Sequence, residues 1–361
     1  MPYYPEMTVI QGFAAVVRTR KLPPHAIADA PQVVLNEPVD AVQTVLAGEI
    51  LGDYHIIDVA AELRVKNPTP QRMDEILRVD EGMRVQFGQE LARVGKGRRT
   101  RVLYAPLEGV VTAIMGNRLV LQESRQTIEV KARVPGQVSA ADTHQVTISG
   151  RGALIQCAWG NGRYAYRAYR FLPPDGFAGL SKMDPRISEY RNVVIISPAP
   201  INMGDLLVAQ QQEVAGVVAP SMSADLREFA MQLTFPVLLT EGFGQRRPTT
   251  LLYRLLQENM GRQAAFDAVL PERWAEDRPE IMIPLPAEGV APPAPSPDQA
   301  LLVGTQVRIT RAPWDGLVGT IEALPAAPQV LENGLRVPCA QVRLSADRIV
   351  PVPLANVELL G

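Results

Sequence analysis

The sequence predicts a multidomain, β-rich protein with a β-rich front, a central small parallel α/β domain and a C-terminal β-barrel. Three observations predict it. The 361 residues exceed what one ordinary core holds and fit two to four domains, about 100–200 residues being usual for one. Short β-branched runs separated by Gly and Pro fill the front. Beyond a Pro/Gly/Asp-dense break at 171–185 the pattern changes to strand–helix alternation.

Taken in order, residues 1–70 read as an N-terminal β-rich region and 71–172 as a second β domain. The runs VQTVLAG, YHIIDVA, RVLYAP, GVVTAI, RLVLQ, TIEVKARV and HQVTISG are spaced as in barrels or sandwiches. Next comes ALIQCAWGNGRYAYRAYRF, whose alternating Tyr and Arg read as an amphipathic edge strand. Residues 186–285 hold three strand–helix units. VVIISP precedes INMGDLLVAQQQ; AGVVAP precedes SADLREFAMQL, with Ser223 as N-cap; FPVLLTE precedes TTLLYRLLQENMG, with Gly261 suited to a C-cap. Asp277 and Glu280, flanked by arginines, read as surface charge. Residues 286–299, PAEGVAPPAPSPDQ, read as a semi-rigid linker, and 300–361 as a separate module.

Composition excludes several classes. Thirty-six basic against 38 acidic residues leave a net charge of −2, which draws the chain neither to nucleic acid nor to an anionic membrane. Cys157 and Cys339 form no CxxC pair, and His25, His55 and His144 are scattered, so no metal site and no cofactor are expected. No apolar run reaches the ~18 residues of a membrane span, and the N-terminus has no signal-peptide pattern. A cytoplasmic protein is expected.

The stretch GMRVQFGQELARVGKGRRTRVLYAPLEGVVTAI carries Gly82, Gly88, Leu91, Ala105 and Gly109 at spacings that resemble the biotinyl/lipoyl attachment fold, the barrel-sandwich hybrid. The resemblance implies tight hairpins between short strands, with glycine at positive φ. It does not carry the chemistry. The tip position that holds the family's modified lysine is Arg98, Lys96 comes two residues early, and an arginine is not acylated. Ala105-x-x-x-Gly109-x-Val111 is echoed by Ala132-x-x-x-Gly136-x-Val138, which reads as two halves of one fold. Arg93, Lys96, Arg98, Arg99 and Arg101 form the densest positive charge. They make either a solvated tip or a contact for an acidic partner.

Parallel sheets bind ligands beyond the carboxyl ends of their strands, and the loop Thr240–Arg247 is the candidate there. Glu241 could act as acid or base, and Arg246 and Arg247 could hold an anion. No Walker or dinucleotide glycine pattern accompanies them. Ser221 has no nucleophile elbow and the domain has no histidine to activate it. The faint likeness to the swivelling domains of phosphotransfer enzymes lacks their phosphohistidine.

GTQVRITRAPWDGLVGTIEAL, with Gly304, Val307, Ile309, Trp314, Gly316, Gly319 and Ile321, is similar to the KOW motif of SH3-like barrels such as the NusG-type C-terminal domain. The resemblance implies binding to RNA, ribosomal protein or polymerase, with Trp314 as contact or as cover for the core. Arg308, Arg311, Arg336, Arg343 and Arg348 are balanced by Asp315, Glu322, Glu332, Asp347 and Glu358, which favours protein over phosphate.

The expectation is a non-catalytic binding or scaffold protein whose partners are proteins or copies of itself. The alternatives are a transcription- or translation-associated factor docking through the KOW module, and an enzyme using the 240–247 loop.

Overall fold

The structure is a computed structural model and describes residues 3–4, 7–270, 277–286 and 299–360. It is β-rich, with several sheets and no closed barrel. The expected linker at 286–299 falls almost wholly outside the described residues.

The front consists of two modules, one nested inside a hairpin of the other. The outer module uses Pro38–Val39, Thr44–Ile50, Gln126–Lys131 and Gly136–Ala141. The inner one runs from Tyr54 to Glu123. It has a four-stranded sheet ordered Tyr54–Asp58, Arg118–Glu123, Gly109–Met115, Arg84–Val85, and a separate hairpin of Glu90–Val94 with Arg101–Tyr104. One antiparallel ribbon joins them in unbroken register. Leu46 faces Val130 and Ile50 faces Gln126 in the outer module; counting on along both strands leads to Tyr54 facing Gln122 and Asp58 facing Arg118 in the inner. At the crossing Gly52 is required, because a Cβ there would lie 2.2 Å from the Glu123 carbonyl oxygen.

The two modules share a turn frame, bond for bond. Val111 N–H donates to Met83 C=O and accepts Gly82 N–H at its own carbonyl; Val138 does the same with Glu37 and Asn36. Gly82 and Asn36 both hold positive φ, 82° and 66°. The side chains of Gln89 and Gln43 cap equivalent turns, on the N–H of Gln86 (3.0 Å) and Asp40 (3.3 Å). The Gln89 carbonyl accepts from Ala105, and that of Gln43 from Ala132. The A-x-x-x-G-x-V echo therefore marks two nested modules, one copy in each, and not two halves of one fold. Sequence order hides the nesting because the outer hairpin closes only after the inner module is complete. Val85, Leu91, Val111, Leu119 and Leu121 fill the inner core, and Val39, Val45, Leu46, Val138 and Ile148 the outer.

Strands Tyr164–Phe171, Val194–Ile196, Gly216–Met222 and Val237–Phe243 pair in parallel. Tyr164–Phe171 was expected in the front and at an edge. It is instead central, with Gln263–Asp267 antiparallel on its other side, so Tyr169 is fully buried and donates its hydroxyl to the Leu256 carbonyl (2.9 Å). Through Glu280–Pro284 and Gln145–Gln156 the parallel strands merge with the outer module into an eleven-stranded sheet. Helices Met203–Gln211, Arg227–Gln232 and Thr250–Glu258 follow their strands. The first starts with a capping box of Asn202 and Asp205. Ser223 precedes a short 3-10 turn without bonding its N–H groups, and Gly261 takes φ 85° just past the last helix.

Glu280 is buried, not surface charge. Arg18 Nε donates to its Oε1 (2.8 Å) from the strand Ile10–Lys21. Beside it, Asp267 is paired with Arg20 (3.4 Å) and Arg133 (2.9 Å). These pairs anchor the outer module to the central sheet.

The C-terminal strands Gln306–Ile309, Val318–Ala323, Cys339–Ser345, Arg348–Pro353 and Val357–Leu360 form one sheet. A closed barrel was expected; the sheet is open and six-stranded. Met7–Thr8 adds in parallel to Val357–Leu360, so the edge that closure would need is taken by the N-terminal strand.

Candidate functional site

The 240–247 loop is the point where the C-terminal sheet docks. Glu241 is 7% exposed. Its Oε1 accepts from Thr249 N–H (3.1 Å) and Thr249 Oγ1 (2.9 Å), and its Oε2 accepts from Arg308 Nη1. Arg308 also donates through Nε (2.9 Å) and Nη2 (2.5 Å) to Glu358 Oε2 and through Nη1 to Thr249 Oγ1 (3.1 Å). The Thr8 hydroxyl bonds Glu358 Oε1. One guanidinium thus holds two buried carboxylates from different parts of the chain. In a low-dielectric site such a network keeps its charges only while every donor stays in place.

The consequence for chemistry is direct. Parallel sheets place ligands beyond their strand ends, and at the end of Val237–Phe243 Arg308 enters that region and pairs with Glu241. Glu241 is held by three donors and is mostly buried, and with Arg308 it lines an open cleft at the junction. Ser221 is likewise engaged: its Oγ accepts from Arg246 N–H (2.9 Å) and donates to the Arg246 carbonyl (3.2 Å), pinning the loop. Both cysteines are buried, and burial pushes their thiols up, away from the thiolate a nucleophile requires.

Arg246 and Arg247 line an open cleft of about 510 Å³ between this loop and Thr310–Leu317, with Asp315 in the facing wall. Neither guanidinium forms an ion pair among the described residues. Trp314 is half-buried, packs on the C-terminal core, and carries the Arg348 guanidinium 4.2 Å from its ring centroid.

The basic cluster lies at the tip of the inner hairpin. Gly95 (φ 94°) and Gly97 (φ 60°) shape the turn, and a Cβ on Gly95 would meet the Arg99 carbonyl oxygen at 2.5 Å. The tip is tightened by Thr100, whose N–H (3.2 Å) and Oγ1 (2.9 Å) both donate to the Gly97 carbonyl. Lys96, Arg99 and Arg101 are exposed and form no ion pair among the described residues; the Arg98 side chain lies outside them. Arg93 departs from the set. It forks onto Glu90, Nε to Oε1 at 2.6 Å, and holds that carboxyl below its ordinary range.

Sequence reasoning missed Arg308, Glu358, Thr8 and Thr249. A signal existed for Arg308, a charge between Val307 and Ile309 in a strand buried on both faces, but nothing in the sequence names its partners. Among the described residues no three His, Cys, Asp or Glu side chains group as metal ligands, and no helix is long and apolar enough to cross a membrane. No protein-family model and no curated protein matches the chain.

Proposed function

We propose that this chain is a non-catalytic binding protein or scaffold whose inner module is the binding head and whose remaining sheets are its base. The observation that carries this reading is the opposite fate of its two charged candidate sites. Glu241, the residue an enzyme would need, is held inside the junction with Arg308. Lys96, Arg99 and Arg101 stand exposed on a glycine-shaped tip and form no ion pair among the described residues. Such a tip offers a guanidinium fork to carboxylates, so the partner class is a protein with an acidic surface. The tip occupies the hairpin that the biotinyl/lipoyl resemblance assigns to a carried group, here replaced by fixed positive charge. The C-terminal sheet, read as the SH3-like KOW module, is the docked support, since its Arg308 bonds Glu241 of the central sheet. Two free buried cysteines fit a reducing cytoplasm.

The test is affinity capture of the full chain from its native cell, with and without nuclease. The reading expects protein partners that resist nuclease and dissociate as salt rises. Nuclease-sensitive capture of polymerase or ribosome would replace it with the transcription–translation alternative.

A further inference from the structure

The inner module ends in an open β edge. Tyr54–Asp58 is the last strand of its sheet and pairs only with Arg118–Glu123. Glu123 N–H donates to the Asp53 carbonyl (3.0 Å) and Val59 N–H to the Asn117 carbonyl (2.9 Å). Antiparallel bonding alternates along a strand, so the odd-numbered residues bond inwards. The N–H and C=O of Tyr54 and Ile56 therefore point away from the sheet. Both side chains are 64% exposed and lie on one face, and His55 is exposed on the other. Natural edges are guarded by lysine, proline, a bulge or a covering element; Tyr54-His55-Ile56-Ile57 has none of these. The same ribbon shows the contrast, since its outer-module strand Thr44–Ile50 is covered by Ala26–Ala28.

We propose that this edge pairs antiparallel with the same edge of a second copy, about a two-fold axis through His55. The register follows from self-complementarity. Each Tyr54 exchanges backbone hydrogen bonds with the partner's Ile56, and their side chains form an aromatic–β-branched cross-strand pair on each side of the axis. Asp53 then faces the partner's Ile57. Sliding the register one step towards the N-terminus opposes Ile56 to the partner's Gly52, which has no side chain to pair with it. Sliding it the other way opposes Tyr54 to the partner's Asp58, whose side chain caps the helix Val59–Glu62 by accepting from Ala61 N–H. An isologous pairing of this kind closes at two copies. It does not depend on the scaffold reading, because an enzyme could dimerise in the same way.

Light-scattering mass of the full chain at tens of micromolar tests it, with two surface variants. Wild type should show twice the mass of one chain. Ile56→Lys, a change at an exposed position, should return a single-chain mass, whereas Ile349→Lys, at an exposed apolar position of the C-terminal sheet, should leave the dimer intact. His55→Cys should yield a covalent dimer on oxidation, since the axis places the two residues opposite each other at a non-hydrogen-bonded pair, where Cβ atoms are closest. A single-chain mass for wild type, an assembly larger than two, a dimer untouched by Ile56→Lys, or no cross-link in His55→Cys would each overturn the proposal.

Discussion

The outer and inner modules have the same turn frame and opposite surroundings. In the outer one the strand after the frame continues into the eleven-stranded sheet, and buried pairs, Asp267 with Arg20 and Arg133, and Glu280 with Arg18, tie it down. In the inner one the edge strand is open, and Lys96, Arg99 and Arg101 form no ion pair among the described residues. The frame needs only a left-handed residue, a capping glutamine and a glycine where strands cross. The side chains outside that frame differ, and in the proposed reading they make one unit the base and its twin the head.

The junction gives the largest expected effect. Arg308→Met removes the cation between Glu241 and Glu358, and leaving buried charge without its partner costs about 3–5 kcal/mol. Denaturant unfolding should show that loss, and hydrogen exchange should place it in the central and C-terminal sheets while the inner module keeps its protection. Equal loosening of the inner module would break the separation of base from head.

The shared frame makes a paired expectation. A Cβ at Gly109 would lie 2.1 Å from the Gln122 carbonyl oxygen, and one at Gly136 2.4 Å from that of Ser149. Gly109→Ala and Gly136→Ala should each cost about 1–3 kcal/mol, the usual range for forced overpacking. A large loss at only one of them would contradict the equivalence. Gln89→Ala and Gln43→Ala remove matching turn caps and should each cost about 1 kcal/mol, the net worth of one hydrogen bond. Thermal unfolding of the variants measures both pairs.

Legibility followed the range of the interaction. Gly82 and Gly88 were readable as left-handed turn residues, and they take φ 82° and 76°, because such a requirement is local. The three strand–helix units were readable from a change of period. The echo at 105–111 and 132–138 was visible, but its meaning was not, since nesting depends on Ile50 meeting Gln126 across the whole inner module. Glu241 looked like an acid in a ligand loop because its partner Arg308 lies in another sheet. Glu280 looked like surface charge for the same reason. Arg93 was counted with the tip, although the bond to Glu90 three residues earlier removes it.

The smallest expected effect concerns acid. Asp58 Oδ1 accepts from Ala61 N–H and Asn117 Nδ2, both at 2.9 Å, and the Ala61 bond leads in holding its carboxyl below the ordinary range. A depressed carboxyl stabilises above its unfolded pKa of about 3.9, and the contribution is lost as pH falls through the lower folded value. The helix Val59–Glu62 should therefore lose exchange protection below about pH 4.

The claim that the inner module is the binding head is tested most directly by charge reversal at its tip. Full-length chain carrying Lys96→Glu, Arg99→Glu and Arg101→Glu would be compared with wild type in capture from the native cell at fixed ionic strength. The account expects a loss of bound partner of at least about tenfold, some 1.4 kcal/mol, with unfolding unchanged because these residues hold nothing inside the fold. Undiminished capture by the variant would contradict it and move the binding surface to the cleft at Arg246 and Arg247 or to another face.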